Sequence, residues 1–471
     1  MICTDCNQEY KITSIEYKCS NCGGLLWYKS DLSKYKESFS KNKKFISFWD
    51  FNFTLPPIKK EYIITLNEGG SPCRESKRIG KNIGLNRLFF KDETLNPTNS
   101  FKDRAAALLI SHARSWGYQK VVCASNGNQG ASIAAYTSLE GMECINIIPK
   151  GIDIGKHAQL IAYNSKIITK GNTIDDIIDL ALDSNYSKEY YQCTPEFNPL
   201  TIEAQKTMSF EILQDIGAPD WVIVPMGDGG CLVSIWKGFL ELKECDLIEK
   251  LPKIVGIQTQ ACSPIVDKFF HETYDKNSEK ETIRSRATSI LVKKPIYQNL
   301  AIKAMTDSKG TALAIPENLI LSSVSELAKY EGVFAEPASA STLAGLINLK
   351  EHYKIGADEI VVCLITGSGL KAPYVLEAFS SRAKTAGMGG ILSTKLKILS
   401  QINLFDNKGI HGTRLKEIIG NVSLPAIYQH LKELELKNLV SRKREGKRVL
   451  YFITEQGKKV LDAMDILITL L

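Results

Sequence analysis

The sequence predicts an α/β protein whose core is a doubly wound parallel sheet, with a small cysteine-rich module before it and a small α+β module after it. Three observations support this prediction. From about residue 60, short apolar runs alternate with amphipathic helical stretches, four cysteines stand within the first 22 residues, and residues 391–471 hold +6 of the net charge of +7. At 471 residues the chain is too long for one ordinary domain, so several units are expected.

The first unit, residues 1–30, is predicted to be a zinc ribbon. Cys3 and Cys6 form one Cys-x-x-Cys knuckle, and Cys19 and Cys22 form a second one after a gap of twelve residues. Two such knuckles present four thiolates to one tetrahedral ion, and a site closed by four thiolates is structural rather than catalytic. An empty site or a pair of disulfides is the alternative.

The second unit, residues 60–386, is predicted to hold the parallel sheet. Its apolar runs are nearly continuous, which is typical of strands buried on both faces. The helical stretches between the runs give the alternation of an α/β fold. The expected strands are Leu88–Phe90, Lys120–Ala124, Cys144–Ile148, Trp221–Val224 and Ile360–Ile365.

The third unit, residues 391–471, follows a Gly-Met-Gly-Gly linker at residues 387–390. Helical patterns are followed by two short strands around a turn and by a last helix. This order resembles the winged helix-turn-helix family. The expected elements are helices at 395–402, 413–419 and 423–437, the last one capped by Ser423, then strands from Leu439 and at Val449–Ile453, and a helix after Thr454.

The wing of this third unit is basic. Its cations, which are positioned to meet phosphates, are Arg442, Lys443, Arg444, Lys447 and Arg448. Tyr428, Gln429 and His430 on the preceding helix are expected to reach base edges. Pro425 and the acids Glu433 and Glu435 limit how closely that helix approaches a duplex.

Composition and charge exclude several classes of protein. Hydrophobic residues at 44% and charged residues at 24% exclude disorder as a description of the whole chain. No apolar run reaches about 18 residues, and the first ten residues are polar, so neither a membrane span nor a signal peptide is expected. The eight cysteines beyond the ribbon are scattered singly, which favours reduced thiols. These observations predict a cytoplasmic protein with no membrane partner.

One lysine stands at a position suited to covalent chemistry. Lys102 follows Asn99-Ser100-Phe101 just after a strand, where a helical pattern begins. The N-terminus of a helix disfavours the protonated form of an amine, so Lys102 is a candidate Schiff-base residue. A solvated lysine in a polar loop is the alternative.

A glycine loop offers a candidate phosphate site. The loop consists of Gly227, Asp228, Gly229 and Gly230. It lies between a buried strand and a helix expected to begin near Leu232, so its bare amides can hold an anion. Asp228 fits such a site only if its side chain points away, and an ordinary βα turn is the alternative.

Six further motifs follow the Lys102 segment in order. They are Ser125–Ser132, Lys156–Gln159, Asn198–Thr207, Pro225–Gly230, Glu336–Ala340 and Thr366–Lys371. Together with the Lys102 segment they resemble the threonine synthases, a family of fold-type II pyridoxal-phosphate enzymes. The resemblance covers roughly residues 1–385, because some members also carry the zinc knuckle. It implies two doubly wound parallel-sheet subdomains.

The resemblance implies that pyridoxal 5'-phosphate is the cofactor, that Lys102 holds it covalently and that the glycine loop binds its phosphate. Asn128 corresponds to the residue that hydrogen-bonds the phenolic oxygen of the cofactor, and Thr366 to the hydroxyl partner of its pyridine nitrogen. A hydroxyl there suits elimination and replacement at Cβ or Cγ. A satisfied hydroxyl at a strand end is the alternative for Thr366. The residues implied to bind the carboxylate of a small amino-acid substrate are Ser125, Asn126 and Gly127.

One segment departs from the family. Threonine synthases usually place Asn-Ser before an Asn-Pro pair and an arginine after it, and these residues help to bind the phosphate of O-phosphohomoserine. Here Pro195 and Glu196 stand before the pair and Thr201 stands after it. An acid and a hydroxyl in place of donors and a cation oppose a dianionic phosphate in that pose.

The resemblance implies a lyase that converts O-phosphohomoserine and water into threonine and phosphate. A threonine or serine dehydratase, or another β-replacement enzyme, is the first alternative, because neither needs a phosphate pocket for its substrate. A transcriptional regulator that uses the enzyme fold as a sensor is the alternative from another class. The tail is expected to bind DNA, against the alternative of a solvated arm for protein contacts. A homodimer is also expected.

Overall fold

The computed structural model describes residues 1–11, 16–40, 44–182, 189–270, 285–372, 394–405, 409–419, 422–445 and 448–461. The chain divides into two compact units, Met1–Val375 and Leu376–Leu471. The predicted linker at 387–390 and the wing residue Lys447 lie outside the described residues, and the domain boundaries at 30, 60 and 386 stay predictions. In the part of the chain that is described, no helix is both long and apolar enough to cross a membrane.

The first unit is built on strands, which are numbered here along the chain. They are β1 (Ile2–Cys3), β2 (Leu26–Trp27), β3 (Cys73–Glu75), β4 (Leu88–Asp92), β5 (Lys120–Ala124), β6 (Glu143–Ile148), β7 (Lys166–Thr169), β8 (Tyr191–Gln192), β9 (Trp221–Pro225), β10 (Lys253–Thr259), β11 (Thr311–Ile315) and β12 (Val361–Ile365). All five predicted strands are present, so the prediction of an α/β core is confirmed.

Two larger sheets and one short ribbon result from these strands. The six-stranded sheet has the order β11-β10-β9-β12-β4-β3 and is parallel except for the edge strand β3. The four-stranded sheet has the order β7-β6-β5-β8 and is parallel throughout. In the register of the larger sheet, Cys363 of β12 lies opposite Ile223 of β9 and Phe90 of β4. These central residues are apolar because both faces of the sheet are covered.

Helices connect the parallel strands, as crossover connections require. The α-helices of the first unit are Ser33–Ser40, Ile79–Ile83, Lys102–Ser115, Asn128–Glu140, Ile154–Ala162, Leu200–Gln205, Thr207–Ile216, Gly230–Glu244, Pro264–Phe269, Gln298–Asp307, Glu317–Glu326 and Pro337–His352. One apolar core joins the larger sheet at Val222 to helix residues such as Phe239. A second core joins the smaller sheet at Val121 to helix residues such as Leu108 and Ile133.

A buried group of charges, called here the Arg104 cluster, joins three of these elements. It consists of Lys91, Glu93, Arg104 and Glu211, all of them nearly inaccessible to solvent. The Arg104 guanidinium donates to both oxygens of Glu211 at 2.6 Å and to both oxygens of Glu93 at 2.7 and 2.8 Å. Lys91 Nζ donates to Glu211 at 2.6 Å. Such bidentate pairs fix geometry, so the cluster anchors the first turn of helix Lys102–Ser115.

The second unit has the predicted order of elements. Its helices Thr394–Phe405, Gly412–Ile419 and Leu424–Leu436 precede the antiparallel strands β13 (Val440–Glu445) and β14 (Arg448–Ile453), and residues 455–461 are helical. Ser423 Oγ accepts a hydrogen bond from the amide of Ala426 at 3.4 Å, as expected of a helix cap. The winged helix-turn-helix prediction for this unit is confirmed.

Candidate functional site

A cleft opens where strands of both sheets end. Thr366 follows β12, the glycine loop follows β9, and Ser125 follows β5, so three carboxyl ends of parallel strands converge there. The predicted site residues that line the cleft are Lys102, Ser125, Asn126, Asn128, Gly227, Asp228 and Thr366. Gly127, Gly229 and Gly230 stand beside them in the same loops but do not form the lining.

Lys102 is the first residue of helix Lys102–Ser115, the position that the sequence predicts. Its side chain is half-buried, and Nζ lies 4.6 Å from the centre of the Phe101 ring. The amide of Phe101 donates to the carbonyl of Thr366 at 3.0 Å, which joins the Lys102 segment to the end of β12. Together with the Arg104 cluster, this bond holds the amine of Lys102 in the cleft.

The glycine loop leads directly into a helix, which begins at Gly230 rather than near Leu232. Gly229 has a φ of 97°, a conformation that side chains rarely adopt. The carboxylate of Asp228 accepts a hydrogen bond from the amide of Gly230 at 3.2 Å and also lines the cleft. Asp228 therefore does not point away from the loop. Burial raises the pKa of Asp228, which favours its neutral form and weakens its repulsion of an anion.

The hydroxyl group of Ser125 stabilises the turn of the loop after β5 through two hydrogen bonds. Ser125 Oγ accepts from the amides of Gly127 at 3.2 Å and Gly130 at 3.0 Å. Gly127 has a φ of 105°, and a Cβ added there would come within 2.9 Å of the Lys156 side chain. Only glycine fits this turn, which brings Asn126 and Asn128 to the lining of the cleft.

Asn128 begins helix Asn128–Glu140 and has one satisfied and one unsatisfied side-chain group. Its Nδ2 donates to Glu336 Oε1 at 3.1 Å and to Oε2 at 3.2 Å. Its Oδ1 is buried and has no hydrogen-bond partner among the described residues. A buried polar atom is rarely left alone in a folded protein, so this oxygen indicates a ligand in the cleft.

Thr366 lines the cleft and also has a hydrogen-bond partner in the chain. Its hydroxyl lies 2.8 Å from the hydroxyl of Ser339, which also accepts from the amide of Gly367 at 2.8 Å. Because either hydroxyl of the pair can donate, Thr366 can still donate to or accept from a ligand. Ser339 thus orients Thr366, a role that its place in the Glu336–Ala340 motif did not reveal.

Three further residues belong to the site although the sequence indicated no role for them: Glu336, Ser289 and Lys156. Lys156 Nζ lies 3.5 Å from Glu336 Oε2 and donates to Ser289 Oγ at 2.9 Å. Glu336 and Lys156 belong to motifs that were recognised, whereas Ser289 stands in a segment without any motif. Its position follows only from tertiary packing.

The residues at which the sequence departs from the family do not all lie in the cleft. Pro195 and Glu196 line the cleft, and Glu196 is 7% exposed. Thr201 lies on helix Leu200–Gln205 and does not line the cleft, although its hydroxyl is buried without a partner among the described residues. The acid therefore belongs to the site and the hydroxyl does not.

The residues of the cleft fit pyridoxal 5'-phosphate. A lysine amine, a loop of bare amides at the N-terminus of helix Gly230–Glu244 and a hydroxyl pair at the end of β12 surround one space. An amine, an anion site and a ring partner are what this cofactor requires. The unpartnered Oδ1 of Asn128 adds a polar atom that can accept a hydrogen bond from a ligand.

The four ribbon cysteines come together as predicted. The sulfur atoms of Cys3, Cys6, Cys19 and Cys22 all lie within 4.8 Å of one another. Four thiolates about 2.3 Å from one tetrahedral zinc ion lie roughly 3.8 Å apart, so the cluster fits the ion. The Asn21 amide donates to Cys6 Sγ at 3.6 Å and lowers the pKa of Cys6, which favours the thiolate that a metal needs.

The ribbon also contacts residues on either side of Pro195 and Glu196, which line the cleft. Tyr17 Oη accepts from the amide of Gln192 at 3.1 Å, and its ring meets the Tyr191 ring edge-on at 6.2 Å. Lys18 Nζ, next to a ribbon cysteine, lies 5.0 Å from the centre of the Phe197 ring. Because Phe197 adjoins Glu196, the ribbon supports the segment that carries the acid into the cleft.

Comparison with known proteins identifies the class. A family model described as pyridoxal-phosphate dependent enzyme matches residues 64–367, and one described as HxlR-like helix-turn-helix matches residues 391–470. Maize serine racemase superposes with a TM-score of 0.57 at 17% identity, covering 75% of this chain and 98% of that one. The fungal L-serine ammonia-lyase of Rhizomucor miehei gives 0.57 at 18% identity, covering 66% and 98%. These structures share the fold of fold-type II enzymes, and the pyridoxal-phosphate prediction is confirmed.

Closer relatives identify the family. The threonine synthase of Methanocaldococcus jannaschii is 38% identical over 379 residues, which cover 79% of this chain and 92% of that protein. The threonine synthase of Methanosarcina acetivorans is 36% identical over 378 residues, with the same coverage. That of Mycobacterium bovis is 38% identical over 312 residues, covering 66% and 84%. The chain belongs to the threonine synthase family of pyridoxal-phosphate-dependent lyases.

Proposed function

We propose that this protein converts O-phosphohomoserine and water into threonine and phosphate. The observation that carries the proposal is the convergence of Lys102, Asn128 and Thr366 on one cleft, in a chain of the threonine synthase family. The cofactor, when bound, withdraws electrons from Cα of the amino-acid substrate and so makes its protons easier to remove. The substrate is a small amino acid with a leaving group on its side chain.

Within this proposal each cleft residue has one role. Lys102 holds the cofactor and, once released by the substrate, takes and returns protons at the substrate carbons. Asn128 and Thr366 orient the cofactor ring, and the amides of residues 227–230 bind its phosphate. The loop of Ser125, Asn126 and Gly127 binds the substrate carboxylate. The Arg104 cluster and the Thr366 carbonyl keep the Lys102 segment in place.

The test is an assay of products from three substrates. The holoenzyme is supplied separately with O-phosphohomoserine, threonine and serine, while phosphate, threonine and 2-oxo acids are quantified. We expect phosphate and threonine in equal amounts from the first substrate. Lys102→Ala should abolish this turnover with the fold retained, whereas Lys166→Ala, at an exposed strand position, should match the wild type. Failure to release phosphate would reject the proposal.

A second candidate is favoured by one observation. Glu196, an acid, lies inside the cleft where a phosphate-bearing substrate would need donors. A threonine or serine dehydratase, or another β-replacement enzyme, needs no such donors. Release of 2-oxo acid from threonine or serine, without phosphate release from O-phosphohomoserine, would select this candidate.

The four ribbon cysteines are proposed to bind one structural zinc ion. Their mutual distances support a tetrahedral ion, and four thiolates leave no open position for catalysis. The ribbon buries little apolar surface of its own, since its core consists of Cys3, Cys19 and Leu26 with a few partly buried neighbours. Its order therefore depends on metal binding.

The second unit is proposed to bind DNA. Arg442, Lys443 and Arg444 are exposed on β13, and Tyr428 and Gln429 are exposed on helix Leu424–Leu436. The two acids that oppose this proposal each have a cation: Lys395 pairs with Glu433, and Arg442 Nε lies 3.0 Å from Glu435. These pairs reduce the repulsion of phosphates by the helix. His430 is only half-exposed, which makes it a poorer candidate for contacts with bases.

DNA binding is tested with the full-length chain by titrating duplex DNA at two salt concentrations. Each phosphate contact should give a slope of about −0.9 in a plot of log affinity against log salt. Replacing Lys443 and Arg444 together with glutamine should flatten the slope, whereas Lys303→Gln in the first unit should not. A flat slope in the wild type would select a protein-contact arm. Salt-dependent binding without turnover of any substrate would select the sensor-type regulator.

A homodimer is likewise proposed. Light scattering of the holoenzyme should give twice the chain mass of 52.4 kDa. A mass equal to one chain would reject it.

A further inference from the structure

Glu196 is a buried acid with an unsatisfied oxygen in the cleft. Its residue is 7% exposed, and it lines the same space as Lys102 and Asp228. Its Oε2 has no hydrogen-bond partner among the described residues. Burying a polar atom without a hydrogen-bond partner costs free energy, and no contact within the described fold offsets that cost at this atom. The atom is therefore available to a bound molecule.

The charged groups that face Glu196 come from three other elements. Burial is the largest cause of the raised pKa of this carboxyl group. Asp228 of the glycine loop and Asp175 raise the pKa further, whereas Lys102 and a backbone hydrogen bond lower it. Together they raise the pKa of Glu196 to about 8. At neutral pH the group is then a neutral acid with a proton to donate, so it does not repel a phosphate.

A neutral acid at the position of Glu196 would supply the proton donor that the proposed reaction needs for its leaving group. The Cγ–O bond of a phosphate ester breaks with its electron pair on oxygen, and that oxygen needs a proton as it leaves. The lining of the cleft holds no arginine and no histidine among the described residues, and its lysine, Lys102, handles the protons of the substrate carbons in the proposed function. Asp228 already accepts from the loop amide of Gly230. Glu196 is the acid of the lining with a buried oxygen that lacks a hydrogen-bond partner in the described part of the chain.

We propose that Glu196 is the general acid for the leaving group: its carboxyl group donates a hydrogen bond to the oxygen that joins the leaving group to the substrate, and gives up its proton as the C–O bond breaks. The inference rests on the proposed function. The phosphate ester leaves as hydrogen phosphate, and Glu196 becomes a carboxylate. The water that forms the new C–O bond at Cβ releases one proton, which returns to Glu196. Lys102 takes and returns the Cα proton and moves one proton from Cβ to Cγ, so protons and charge balance.

The first test compares Glu196→Gln with wild-type holoenzyme, with Glu351→Gln at an exposed helix position as the control. The amide keeps the size and a hydrogen-bond donor but has no acidic proton. We expect kcat for O-phosphohomoserine to fall by about 10²–10⁴, the usual size of a general-acid effect, with KM changed by less than about threefold. In the wild type, kcat/KM should fall as pH rises through about 8, the pKa of this group in the free protein, and this fall should be absent in Glu196→Gln.

A substrate whose leaving group needs no proton separates acid catalysis from a structural role. Chloride departs without protonation, so an analogue with chlorine at Cγ should be turned over by Glu196→Gln within about threefold of the wild-type rate. Equal losses with the phosphate ester and the chloride would overturn the proposal. If the wild type releases no phosphate at all, the proposed function fails. The same comparison is then made with serine and β-chloroalanine, and the same pattern is expected of a hydroxyl leaving group.

A spectroscopic measurement needs no turnover. The infrared difference between wild-type holoenzyme and Glu196→Gln should contain the carbonyl band of a protonated carboxylic acid below about pH 8, and the band should vanish above it. If Glu196→Gln does not fold, the pH profiles of the wild type with the two leaving groups remain decisive, because activity should be lost above about pH 8 with the phosphate ester and kept with the chloride. Absence of the band in the acidic range would overturn the proposal.

Discussion

Replacing Glu211 with glutamine should destabilise the first unit, because it removes one of two carboxylates from the Arg104 cluster. Two cations, Lys91 and Arg104, face two anions, Glu93 and Glu211, in the wild type. The variant leaves a buried site with one uncompensated positive charge. Removing one partner of such a buried pair typically costs about 3–5 kcal/mol.

The size of the effect also follows from the carboxyl group itself. Burial alone would raise the pKa of Glu211, but the charges of Arg104 and Lys91 outweigh it and lower the pKa from 4.5 to about 2. A change of that size corresponds to about 3 kcal/mol of folding free energy. Because the folded-state pKa is lowered, this contribution is present above pH 4.5 and is lost as pH falls towards 2. The difference between Glu211→Gln and the wild type should shrink over the same range.

The assay is denaturant unfolding followed by tryptophan fluorescence. All five tryptophans of the chain lie in the first unit, so the signal reports that unit alone. The matched control is Asp307→Asn, which breaks the exposed pair of Lys303 and Asp307 and should cost less than about 0.5 kcal/mol. A loss below about 1 kcal/mol for Glu211→Gln, or one equal to the control, would refute the reasoning.

Two further predictions concern the cofactor and the metal. Borohydride reduction of the loaded, yellow protein should fix the cofactor onto Lys102, as located by mass spectrometry, and an adduct on any other lysine would contradict the proposed role. Metal analysis should find one zinc per chain. Its removal by a chelator should speed amide hydrogen exchange in the ribbon and at Gln192, whose amide donates to Tyr17, before it affects β12, and equal acceleration everywhere would contradict the supporting role of the ribbon.

Much of the fold was predictable because local patterns determine it. Continuous apolar runs marked β5, β9 and β12, since strands covered on both faces are mostly apolar. The ribbon and the winged helix were predictable from cysteine spacing and from helical periodicity. The pairing of the strands into two sheets was not predictable in this way, because the order β9-β12-β4 joins residues more than a hundred positions apart.

Site residues whose position follows from a local sequence motif were predictable. Site residues whose neighbours are set by tertiary packing were less so. Lys102 stands at the helix start that the sequence indicates, because the end of a strand and the following pattern locate it. The partners of its neighbours, such as Ser339 beside Thr366, depend on contacts between distant segments. A phosphate site at the glycine loop carried the condition that the Asp228 side chain points away, but Asp228 accepts a hydrogen bond from the amide of Gly230, as short acidic side chains often do with nearby backbone amides.

The central claim is that this cleft breaks the Cγ–O bond of O-phosphohomoserine and adds water at Cβ. It is tested most directly by running the reaction of the wild-type holoenzyme in water labelled with heavy oxygen. The label should appear in the hydroxyl group of threonine, and the released phosphate should carry none, because it keeps the bridging oxygen of the ester. Label in the phosphate with homoserine as the product, or no threonine at all, would contradict the account.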